Sequence, residues 1–82
     1  MSAKLKVLQI AKHDVEKKLK HAKKELVHSR FNYENAVRNH APVVKIEGYL
    51  RVYENNEVSY NNLVGMVSAA DEMILEVEGQ EA

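Results

Sequence analysis

The sequence predicts an all-α protein: two long antiparallel helices forming a coiled-coil-like helical hairpin about residues 39–42. Three observations carry this expectation. Apolar residues recur at alternating spacings of three and four over residues 5–40 and again over 43–78, the signature of a coiled-coil seam. The single proline, Pro42, lies between the two repeats. The charge divides at the same point: residues 1–42 carry ten Lys/Arg and four Asp/Glu, whereas residues 43–82 carry two and eight. The net charge of zero therefore conceals halves of +6 and −6, a division that fits two segments lying against one another.

Helix 1 is expected over about 3–39, with Ser2 as its N-cap. Its seam reads Leu5, Leu8, Lys12, Val15, Leu19, Ala22, Leu26, Ser29, Tyr33, Ala36 and His40. Neither glycine nor proline interrupts residues 2–41, and the residues between the seam positions are mostly good helix formers. Such a helix spans roughly 55 Å at 1.5 Å per residue. Pro42 cannot continue it and biases Ala41 away from helical geometry, yet proline is favoured at the start of a new helix. Residues 39–42 are therefore a connector.

Helix 2 is expected over about 43–78, with a seam of Val43, Ile46, Leu50, Tyr53, Glu57, Tyr60, Val64, Val67, Asp71, Ile74 and Glu78. Gly79 is a natural stop just beyond it. Residues 44–53 also alternate in polarity, and Asn55-Asn56 could turn a β-hairpin, giving an α+β alternative with strands in 44–62. Gly48 and the β-branched residues favour that alternative. The helical rule is preferred because it covers the whole segment, whereas the strand rule covers ten residues.

Folding the repeats together about residue 40 sets Leu19 opposite Tyr60, Leu26 opposite Tyr53 and Tyr33 opposite Ile46. Lys12 and Asp71 then fall in adjacent layers, close enough to pair; a polar pair in a seam costs stability but can set register. Lys4 and Lys6 sit beside Glu76 and Glu78, and each group offsets the unfavourable helix dipole of the other.

An 82-residue chain is one domain at most. It contains no cysteine, so disulfides and thiolate metal sites are excluded. The first ten residues lack the apolar run of a signal peptide, and no stretch approaches a membrane span, so a soluble cytoplasmic protein without membrane association is expected. His13, His21 and His28 share one side of helix 1, but their spacings of eight and seven hold them more than about 10 Å apart along the axis, too far for one ion. No nucleophile–base pair or phosphate-cradling glycine loop stands out, and a two-helix hairpin offers no cleft. The expectation is a non-enzyme without cofactor or metal.

Two features point to function. The run Lys17, Lys18, Lys20, Lys23 and Lys24 reads either as a solvated face attracted to the acidic helix or as a row of phosphate contacts for nucleic acid. The absence of interleaved aromatics and the neutrality of the chain favour the first. A second apolar stripe follows helix 2: Tyr49, Val52, Leu63, Met66, Ala70, Met73 and Val77, with a weaker counterpart of Val7, Ile10, Val27, Phe31 and Val37 on helix 1. The simpler reading is that core-facing stripes are often broader than one seam. A lone hairpin this small is short of burial, however, so Tyr49, Val52, Leu63, Met66, Met73 and Val77 are expected to form an interface with another chain. Two hairpins packing together would make a dimeric helical bundle. The leading expectation is a self-associating interaction module that docks on another protein as adaptor, assembly factor or inhibitor. Nucleic-acid binding through the lysine face is the alternative.

Overall fold

A computed structural model describes residues 3–81, with side-chain exposure for residues 3–80; the expected N-cap at Ser2 lies outside the described residues. Two helices, α1 (Ala3–Arg38) and α2 (Val43–Glu81), account for the fold. They pack against each other as a rod of 60 × 15 × 14 Å. No strand occurs among the described residues, and the β-hairpin alternative over 44–62 falls within α2. There the burial of Ile46, Leu50 and Tyr53 toward α1 overrides the local strand preference of the β-branched residues.

The connector forms by a specific set of hydrogen bonds. The Ala41 N–H donates to the Ala36 carbonyl at 3.0 Å and the His40 N–H to the Val37 carbonyl at 3.2 Å. These six-to-one and five-to-two bonds define a Schellman motif. His40 occupies the left-handed position of that motif, with φ of 53°, where glycine is the usual residue because a Cβ is strained there. Pro42 then caps α2, its carbonyl accepting from Lys45 and Ile46 at 2.9 and 3.1 Å. We expect His40→Gly to stabilise the hairpin by about 0.5–1 kcal/mol, the steric relief being partly offset by added unfolded-state entropy. A lower urea midpoint for the variant would show that His40 makes a compensating interaction.

The boundaries depart slightly from expectation. α1 ends at Arg38 and α2 runs past Gly79 to Glu81. Gly79 does not adopt positive φ, so it continues the helix instead of capping it.

From Leu5 to Ala36 the seam of α1 lies where the sequence puts it: Leu5, Ser29 and Ala36 are buried, and Leu8, Lys12, Val15, Leu19, Ala22, Leu26 and Tyr33 are half-buried, while His40, its last expected position, is exposed in the connector. The seam of α2 does not. Ile46, Leu50, Tyr53, Tyr60, Val67 and Ile74 are covered as expected, whereas Val43 at the helix start is exposed; further along, Glu57, Val64 and Glu78 are exposed, and Asp71 is only partly covered. Asn56, Leu63, Ala70 and Val77 take their places. Each lies one residue earlier in the chain, which rotates that row by about 100° around the helix and brings uncharged side chains inward. The register moves with it. The rings of Tyr33 and Tyr53 lie 6.0 Å apart at 31°, and the Asn56 amide donates to the Ser29 hydroxyl at 3.0 Å. These contacts replace the expected opposition of Tyr33 to Ile46 and Leu26 to Tyr53.

The polar layer at Ser29 is fully satisfied. Ser29, 4% exposed, donates to the Leu26 carbonyl at 3.0 Å while accepting from Asn56. The Asn56 amide also donates to the Glu25 carbonyl at 3.3 Å. A bonded polar layer in an apolar seam selects one register over its neighbours. Asn56→Asp would set a carboxylate against the Glu25 carbonyl, which has no proton to give, and the Ser29 hydroxyl, whose one proton is already given to the Leu26 carbonyl. We expect a loss of about 1–3 kcal/mol at pH 7, narrowing against wild type at pH 3, where the protonated carboxyl donates again. Urea unfolding at the two pH values checks this; an equal loss at both would contradict the assignment of donor and acceptors.

Candidate interaction surface

The hairpin closes one seam and leaves much apolar surface outside it. Leu5, Ala36 and Val77 are its buried apolar residues, and no described side chain is fully enclosed. Two helices in contact can cover only one stripe on each, so the apolar side chains beyond that stripe face solvent.

The expected interface stripe on α2 divides in two. Val77, 5% exposed, is buried within the hairpin itself, and Leu63 and Ala70 are half-buried in the same row. Val52, Met66 and Met73 remain outside, each slightly more than half exposed. They sit at multiples of seven residues, hence in line along one flank of α2 beside the Leu63–Ala70–Val77 row. Tyr49 stands at the connector end of this flank, 39% exposed. A row of flexible methionines backed by a packed apolar row suits a contact surface that adapts to its partner.

On α1, Val7, Ile10, Val27, Phe31 and Val37 are all exposed. Val27 and Phe31, one turn apart, line a shallow depression of about 630 Å³ with Lys20, Lys23, Lys24 and His28. The lysine stems supply much of its apolar wall while their ammonium groups stay in water.

The charges contribute less than their division by halves suggests. Lys12 and Asp71 pair across the seam, as the sequence led one to expect. The Asp71 carboxylate, accepting from the ammonium, holds Lys12 above the ordinary lysine value against a smaller opposing effect of desolvation. Lys12 therefore keeps its charge at neutral pH, and its side of the pair is lost as pH rises through that raised value. It is the one cross-helix ion pair among the described residues. His21–Glu25 and Arg30–Glu34 lie within α1, and Lys4 and Lys6 make no ion pair with Glu76 or Glu78, contrary to expectation. Lys17, Lys18, Lys20, Lys23 and Lys24 are exposed and likewise make no ion pair with the described side chains of α2. The attraction between the helices is thus diffuse, apart from Lys12–Asp71.

No protein-family model, curated protein or solved structure matches the chain.

His13, His21 and His28 are all exposed, and no group of three or more metal-ligating side chains converges among the described residues. No helix is long and apolar enough to cross a membrane among those residues. Sequence reasoning missed the Asn56–Ser29 layer and the Tyr33–Tyr53 contact. The signal for the first was present, since an asparagine and a serine at seam spacing on two apolar repeats is a pattern for a buried polar layer.

Proposed function

We propose that this chain is a non-enzymatic protein–protein interaction module, a helical hairpin that associates with itself and acts by docking on a partner protein as adaptor, assembly factor or inhibitor. The observation that carries this reading is the area left open. The chain exposes 6382 Å², whereas a compact protein of its 9.4 kDa mass exposes about 5,000 Å². The excess is larger than the roughly 800 Å² that each partner contributes to a standard interface. Val52, Met66 and Met73 give that surface an apolar row, as interface cores require.

Light scattering tests the self-association. A particle of at least twice the 9.4 kDa chain mass at micromolar concentration supports it, and a monomer contradicts it. The alternative, nucleic-acid binding along Lys17, Lys18, Lys20, Lys23 and Lys24, draws support from their exposure without carboxylate partners on α2. A mobility shift with DNA or RNA that weakens steeply with salt would favour it; no shift at low salt would eliminate it.

A further inference from the structure

We propose that the partner on the Val52–Met66–Met73 flank is a second copy of this chain, related by a two-fold axis that runs along the rod, so that both connectors lie at the same end. This rests on the self-association proposed above and adds its geometry. A closed dimer has one two-fold axis, and two hairpins stacked flank to flank have two ways to use it. With the axis along the rod, each α1 borders its own α2 and the partner's α2. With the axis across the rod, α1 borders α1 and α2 borders α2, and the connectors lie at opposite ends.

Charge decides between them. All ten Lys/Arg and all four Asp/Glu of residues 1–42 lie on α1, a balance of +6, and the two and eight of residues 43–82 lie on α2, a balance of −6. Neighbouring helices in a bundle are about 8–10 Å apart, within the Debye length of about 8 Å at physiological salt or close to it. Helices across the diagonal are about 12–14 Å apart by the same packing, where exposed charges are largely screened. The axis along the rod sets opposite charges in the four near positions and like charges on the diagonals. The axis across the rod sets like charges side by side over a length of 60 Å. Because the charges of α1 and α2 are largely unpaired within one chain, with Lys12–Asp71 as the one cross-helix ion pair among the described residues, they remain available to a second copy. Both arrangements keep every neighbouring pair of helices antiparallel, so charge and not helix direction separates them.

The chain has no cysteine, so a single spin label can be placed without removing any native residue of that type. Val44, 81% exposed and next to the connector, is the site: Val44→Cys carries a nitroxide, and double electron–electron resonance reads the distance between the two copies. The expected distance is below about 35 Å, one bundle diameter plus the label arms. A distance above about 45 Å in a particle of dimer mass overturns the axis along the rod and leaves self-association standing. A monomer mass for the unlabelled chain overturns both. Should Val44→Cys lose helicity by circular dichroism, Gln80→Cys at the other end of α2 repeats the measurement with the same two outcomes.

Discussion

Leu63→Glu is expected to unfold the hairpin, while Val64→Glu, one residue on, leaves it helical. Leu63 is half-buried in the row that faces α1, and Val64 is exposed on the other side of that row. A carboxylate at Leu63 forfeits the packing of a large side chain and must either be desolvated or force the helices apart. Loss of the packing alone costs about 2–4 kcal/mol at a partly covered core site, and the desolvated charge adds to it. Small domains have a total stability of only about 5–15 kcal/mol, and this one has no fully enclosed side chain among its described residues, so most of its helicity should disappear at 25 °C. The exposed Val64 loses little, within about 1 kcal/mol. Circular dichroism of the two variants separates the registers, because the phase expected from the heptad count places Val64 in the seam and reverses the order. Greater damage from Val64→Glu would contradict the α2 seam described above.

Met66→Asp combined with Met73→Asp should dissociate the assembly without melting the helices. Both methionines are more than half exposed in the single chain, so the hairpin loses only helix propensity, about 0.5 kcal/mol per site. In the proposed dimer each aspartate is held too close to the helix to carry its charge out to water, and desolvating a carboxylate costs several kcal/mol that the basic α1 of the second copy only partly offsets. A combined loss near 4 kcal/mol weakens association about a thousandfold. Sedimentation velocity should then show a helical monomer where wild type is assembled. Retention of the wild-type particle would move the interface to another face, with Val27 and Phe31 on α1 the next exposed apolar pair.

Most of the architecture can be read in the sequence because its punctuation is strong. Pro42 ends one repeat and begins the other, and the α1 seam from Leu5 to Ala36 has no competing phase. Lys12 and Asp71, the polar exceptions that fall close together, do pair. The phase of α2 was ambiguous for a definite reason. Ile46, Tyr53, Tyr60, Val67 and Ile74 belong to either seam, and the alternatives differ only in the row that completes it. The row counted from Val43 carries Glu57, Asp71 and Glu78, whereas the row through Asn56, Leu63, Ala70 and Val77 carries no charge. Weighing the cost of burying charge above the continuity of the heptad would have chosen the second row, and with it the assignment of Leu63 and Val77 to the hairpin. The left-handed turn at His40 was harder to foresee, since the residue that usually marks such a position is glycine. The exposed flank could be recognised as apolar but not divided until the α2 phase was known.

On the reading proposed here, the hairpin gains its missing burial from a second chain. That gain is tested most directly by the thermal midpoint of wild type as a function of its own concentration, followed by circular dichroism. Because folding and association are linked, the midpoint should rise steadily as the protein is concentrated over about a thousandfold range. A midpoint that stays constant across that range would mean that the hairpin folds and melts as a single chain, and would overturn its proposed association with a second copy.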